Sequence, residues 1–151
     1  PKVLTANEKL SFLSNIKLNK NLPVFFTSIS YSEHFKGVDV TMRLKSINKE
    51  AFILVTGIAD PSHLLAYLKI SGHSFEHIKF NDHHNFTSTD CIAILKKAAG
   101  KRILTTEKDF GRLAPKLDYD QLFYLEISLT FSNEKEKKEF DTIIEKSIKS
   151  G

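Results

Sequence analysis

The 151-residue sequence has one cysteine, one methionine and no tryptophan. A lone thiol, Cys91, excludes an internal disulfide and fits a reducing compartment. It stands at an apolar helix position, where an inert buried thiol is expected rather than a nucleophile. No hydrophobic run reaches the ~18–20 residues of a membrane-spanning helix, and no signal peptide opens the chain. The first residue is Pro1, not Met, as in a processed or excised segment. There is no glycine-rich loop ending in Lys-Ser or Lys-Thr and no dinucleotide fingerprint; one Thr-Gly pair after a strand is too common to count. The net charge of +4 is spread as lysines among acids. Nucleic acid is therefore not an expected partner. A lysine-rich surface is the plain reading, and a basic face near anionic lipid the alternative.

What remains is an ordinary globular composition, 41% hydrophobic and 26% charged, enough for one domain or one domain plus part of another. Thr5 to Glu8 has capping-box spacing before the helical pattern Leu10, Leu13, Ile16. A loop over 19–23 leads to Val24–Tyr31, which predicts a buried strand. Residues 37–47 alternate apolar and polar, as a half-exposed ribbon does.

From residue 51 strands and helices take turns. Phe52–Thr56, Phe75–Phe80, Arg102–Thr105 and Gln121–Phe131 read as strands. A helix after Asp60-Pro61 stops at Gly72, and one capped by Thr87 and Asp90 stops at Gly100. A short helix spans about 110–113, and a charged helix follows Asn133. This rhythm predicts an α/β fold: a small Rossmann-like, mainly parallel sheet with flanking helices, preceded by a β-ribbon connector.

In such a sheet the carboxyl ends of the strands share one edge, where ligands bind. Three polar segments meet there: Thr56-Gly57-Ile58-Ala59-Asp60, Asn81-Asp82-His83-His84-Asn85, and Thr105-Thr106-Glu107-Lys108-Asp109. His83 beside Asp82 is the candidate base, since a carboxylate can hold an imidazole in one tautomer. Each member has a plainer reading. Asp82 can end the strand in an Asx-turn, His84 can pack, and Glu107-Lys108 can be a surface ion pair of little energetic weight, although Lys108 also suits a phosphate. Asp60-Pro61 punctuates a helix. A metal is not expected, because one His-His pair with one Asp falls short of a ligand set. The DHH phosphoesterases share the three letters Asp-His-His but carry earlier aspartate-rich motifs that nothing here supplies.

Three segments carry a further likeness: Leu54–Pro61, Phe75–Phe86, and Ile103–Asp109 followed by Arg112-Leu113. In order and spacing they resemble the carboxyl-terminal part of the tetraacyldisaccharide 4′-kinase (lipid A 4′-kinase) family of Gram-negative bacteria. Val24–Ile29 is similar to that family's last core strand. The resemblance implies residues 1–35 as the remnant of an amino-terminal P-loop kinase core, 36–50 as connector and 51–151 as a carboxyl-terminal α/β domain. It implies a phosphotransferase that uses ATP and Mg²⁺ on the 4′-hydroxyl of an acylated disaccharide 1-phosphate, at the cytoplasmic face of the inner membrane. The partner domain with the P-loop would hold the phosphates, so this chain alone is expected to be inactive and to bind no cofactor tightly. His83 with Asp82 would be catalytic, and Thr56, Gly57, His84, Glu107, Lys108, Asp109 and Arg112 would contact substrate or line the cleft. A glycosyltransferase-like half-domain and a binding module without chemistry are the rival readings.

Overall fold

The structure is a computed structural model, described for residues 4–16, 22–44, 50–117 and 120–149. In chain order its elements are α1 (Ala6–Asn15), β1 (Thr27–Lys36), β2 (Thr41–Arg43), β3 (Phe52–Thr56), α2 (Ser62–Ile70), β4 (Phe75–Lys79), α3 (Ser88–Ala98), β5 (Ile103–Thr106), α4 (Glu107–Leu113), β6 (Leu122–Phe131) and α5 (Glu134–Lys149). Six strands lie in the order β2-β1-β6-β5-β3-β4. The pairs β3–β4, β3–β5 and β5–β6 are parallel, as the alternation of strands and helices predicts. The chain divides into two compact units, residues 31–126 and residues 1–30 with 127–151.

The larger unit carries the parallel strands. β3 is buried along its whole length because both faces are covered. Its side chains alternate between two apolar clusters. Phe52 and Leu54 join Leu64 and Leu68 of α2, and Ile53 and Val55 join Phe86 with Cys91, Ile94 and Ala98 of α3. Turn chemistry ends the helices as expected: Gly72 and Gly100 take φ of 80° and 83°. Thr87 and Asp90 form the capping box of α3.

Two local expectations shift and a third holds. The strand placed at Val24–Tyr31 begins at Thr27, runs to Lys36 and is only half-buried: Phe35 is its one buried residue, and Ile29 is exposed. Phe25 instead packs edge-on against Phe131 and Phe140. The ribbon is present as the antiparallel β1–β2 pair, turned by the bond from Gly37 N to Val40 O (2.7 Å); the part of it at 45–47 lies outside the described residues. The polar run at 106–109 is not a loop before a helix but the cap and first turn of α4. Thr106 Oγ1 accepts from Asp109 N at 3.1 Å and donates to Asp109 Oδ2 at 2.8 Å. In the smaller unit, α1 has the expected capping box between Thr5 and Glu8. Asn133 caps α5, accepting from Glu136 N at 2.8 Å.

Candidate functional site at the carboxyl edge of the parallel strands

Because β3, β4 and β5 are parallel, the chain leaves all three toward the same edge, and the three polar segments meet there. Gly57 is the point of contact. Its N–H donates to Asp109 Oδ2 at 2.8 Å, and its carbonyl accepts from His83 N at 3.1 Å and from Arg112 Nη2 at 3.4 Å. The close approach favours glycine: a Cβ at this position would lie 3.1 Å from Asp109 Oδ1, which would have to give way by a few tenths of an ångström.

Asp109 is fully buried. Its oxygens are taken by Gly57 N, Thr106 Oγ1 and Arg112 Nη2, so within this chain it ties the segments together. Thr56 is likewise fully buried, with Oγ1 2.8 Å from His77 Nε2. Arg112 completes the tie. Besides Asp109 and Gly57 it donates to the carbonyl of His84 at 3.1 Å, and its guanidinium lies over the ring of Phe86. One arginine thus spans the ends of β3, β4 and β5, a use suited to its rigid fork of donors.

The two histidines, adjacent in sequence, differ sharply. The ring of His84 stacks on Phe80 at 4.6 Å and meets Phe86 edge-on, while its Nε2 lies 3.0 Å from Asp90 Oδ2. Asp90 is already the cap of α3, and the Thr87 N–H and hydroxyl, with His84, hold its carboxyl down to about 2. His83, by contrast, presents a side chain 71% exposed. Its backbone stands at φ 56°, the left-handed region that a residue with a Cβ rarely adopts. Such a conformation costs on the order of 1–3 kcal/mol and persists where surrounding bonds enforce it. Here the N–H of His83 is held by both Gly57 O and, at 3.0 Å, Asp82 Oδ1.

The expected pairing of Asp82 with the imidazole therefore takes a different form. The Asp82 carboxylate accepts from the His83 backbone and stands 3.6 Å from Nε2 through its other oxygen. The close partner of the ring is Lys108, with Nζ 3.1 Å from Nε2 and 3.8 Å from Asp82 Oδ1. Lys108 pairs across the edge in this way rather than with its neighbour Glu107, which is exposed on the first turn of α4. The site that results is an open polar edge with one accessible imidazole, one accessible ammonium and one carboxylate, on a floor bolted down by Asp109 and Arg112.

Sequence reasoning passed over two supports. Lys116 donates to Asn85 Oδ1 at 2.9 Å and to Phe86 O at 2.7 Å, holding the segment after the histidines. His77 lies under Thr56 in mid-strand. Neither has a local signature, because each partner lies 21 or more residues away.

The chain as a whole is similar to known proteins. The profile of the family described as Tetraacyldisaccharide-1-P 4′-kinase matches residues 4–149. The chain is 36% identical to the tetraacyldisaccharide 4′-kinase of Flavobacterium johnsoniae over 149 residues, covering 99% of this chain and 43% of that protein. It is 36% identical to that of Flavobacterium psychrophilum over 135 residues, covering 88% and 39%. It thus spans about two fifths of the length of these relatives. A crystal structure of LpxK from Aquifex aeolicus in complex with ATP has the same fold, with a TM-score of 0.56 at 19% identity over 89% of this chain and 40% of that one. With 146 consecutive positions, residues 4–149, matched by one profile, the chain belongs to the tetraacyldisaccharide-1-phosphate 4′-kinase family.

Proposed function

We propose that this chain is the carboxyl-terminal part of a lipid A 4′-kinase, with His83 as the base that takes the proton of the sugar hydroxyl. In this reading the whole enzyme transfers the γ-phosphate of ATP to the 4′-hydroxyl of a tetraacyldisaccharide 1-phosphate at the cytoplasmic face of the inner membrane. Residues 1–35 are a remnant of the kinase core, 36–50 a connector, and 51–151 the domain that brings the base. The observation that supports it best is His83 itself: an exposed imidazole, fixed in a left-handed turn at the edge where three strand ends meet. A residue held in a costly conformation and left accessible suggests function rather than packing. The rival reading of a binding module would have been favoured by an imidazole buried and bonded away from the edge.

Phosphoryl transfer is largely positioning and charge stabilisation, with one group orienting the nucleophile. A domain that supplies the base while another holds the phosphates is a workable division. Among the described residues no cluster of three His, Cys, Asp or Glu could hold a metal ion, so no step is assigned to Mg²⁺ through this chain. No helix among them is long and apolar enough to cross a membrane; the lipid substrate would be met at a surface. Of the cations at this edge, Arg112 is tied to the buried Asp109, and Lys108, beside His83, is the more exposed one that an anion could meet.

The test is His83→Ala in the full-length enzyme. Loss of a general base costs ~10²–10⁴-fold in rate, so kcat for 4′-phosphorylation should fall on that scale with ATP affinity kept. A folded variant that retains most of its kcat sinks the assignment. Calorimetry on the 151-residue chain should show no tight ATP binding, and micromolar affinity there would point to a nucleotide site within it.

A further inference from the structure

We propose that Lys108 is the positioning residue for His83: its ammonium donates to Nε2 and so fixes the neutral tautomer with the proton on Nδ1 and the lone pair on Nε2. The proposal rests on the reading of His83 as the base, and its own test does not. An ammonium has three donors and no acceptor. A contact of 3.1 Å between Lys108 Nζ and His83 Nε2 is a hydrogen bond only if that nitrogen carries the lone pair. Asp82 is not the group that sets the tautomer, because its Oδ1 serves the His83 backbone and its Oδ2 stands 3.6 Å from the ring. Its place 3.8 Å from Nζ instead keeps the ammonium beside the ring.

Both partners are held from below. Lys108 sits on the first turn of α4, which the Thr106–Asp109 cap and the Asp109 bond to Gly57 anchor to β3. His83 is anchored to the same glycine through the carbonyl. One residue, Gly57, thus fixes the spacing of base and ammonium. The arrangement also couples the base to its substrate. A phosphate oxygen is a stronger acceptor for an ammonium than a neutral imidazole is. Arrival of an anionic group draws Lys108 away and leaves the Nε2 lone pair open to the hydroxyl proton.

The experiment is the ring-nitrogen correlation spectrum of the ¹⁵N-histidine-labelled chain at mildly alkaline pH, with His83 assigned by its loss in His83→Gln. His83 should be in the Nδ1–H form. Lys108→Met should shift it toward the Nε2–H form that free histidine prefers, and Lys108→Arg should keep the native form. An Nε2–H ring in the parent chain, or a tautomer indifferent to Lys108→Met, overturns the proposal. In the full-length kinase Lys108→Met should lower kcat by at least about tenfold, a part of what a general base contributes, with the KM for ATP little changed and Lys108→Arg restoring most of the rate. If His83→Gln lowers kcat and Lys108→Met does not, the positioning role fails while the base assignment stands. If neither lowers it, the base assignment fails, and the spectrum alone still decides what Lys108 does to the ring.

Discussion

The two units of the chain use the same kinds of residue to opposite effect. In residues 31–126, β3 is buried on both faces and α3 buries Cys91, Ile94 and Ala98. In residues 1–30 and 127–151, no described residue is buried, and Leu10, Phe12, Leu129 and Ile148 are 56–75% exposed. Yet α5 places Phe140, Ile143, Ile144 and Ile148 at helical intervals as regular as those of α3. Periodicity says which face of a helix is apolar; it does not say what covers that face. Single exposed hydrophobic residues are ordinary, whereas a whole unit without a buried residue is not. The contrast accords with a unit whose apolar faces are met by parts of a longer protein, since the relatives are more than twice as long.

The contrast is sharpest in stability. Ile94→Ala removes a side chain 1% exposed and should cost ~2–5 kcal/mol. Ile148→Ala alters a residue 75% exposed and should stay within about 0.5 kcal/mol. The described tyrosines, 31, 67 and 124, lie in the larger unit, so urea unfolding read by tyrosine fluorescence reports that unit, and circular dichroism reports the whole chain. Equal costs for the two variants would erase the difference drawn here. A smaller effect is expected at Gly57→Ala, whose Cβ would press on Asp109 Oδ1 at 3.1 Å. Overpacking of this kind costs ~1–3 kcal/mol. A melting temperature equal to that of the parent chain would show that the tie at the strand ends gives way freely.

Much of the larger unit is legible in the sequence because its signals are local. Thr87 and Asp90, three apart, announce a capping box, and Gly72 and Gly100 announce left-handed helix ends. The meeting of the polar segments follows from parallel topology alone. What the sequence does not carry is which member of a segment turns inward. Thr56 and Asp109 look like cleft residues among polar neighbours and are fully buried. Asp82 looks like the partner of the His83 ring and bonds its backbone. The nearer partner of the ring, Lys108, is 25 residues away, brought close by a helix whose start the pattern places three residues late. In the smaller unit, Val24–Phe26 reads as strand because its hydrophobicity is the same whether it joins a sheet or packs as Phe25 does on Phe131 and Phe140.

The mildest effect separates the units by their response to acid. His73 is buried against Phe52, with Nδ1 bonded to none of the described residues, and burial holds its pKa below the ordinary 6.5. His77 is lowered too, by burial first and then by the charge of Lys79. Below 6.5 the unfolded chain takes up protons that these two rings refuse, so their contribution is complete above 6.5 and declines as pH falls beneath it. Asp90, held at about 2 against 3.8 when unfolded, adds a second loss as pH falls below 3.8. In the smaller unit Lys137, raised by the Asp141 carboxylate that it bonds, contributes fully below 10.5 and loses that contribution only in alkali. The urea midpoint read by tyrosine fluorescence should therefore drop between about pH 7.5 and about pH 5.5. The double variant His73→Gln, His77→Gln should flatten that drop. A slope unchanged in the double variant would mean that other groups set the acid response of this unit, and that His73 and His77 titrate as they do in the unfolded chain.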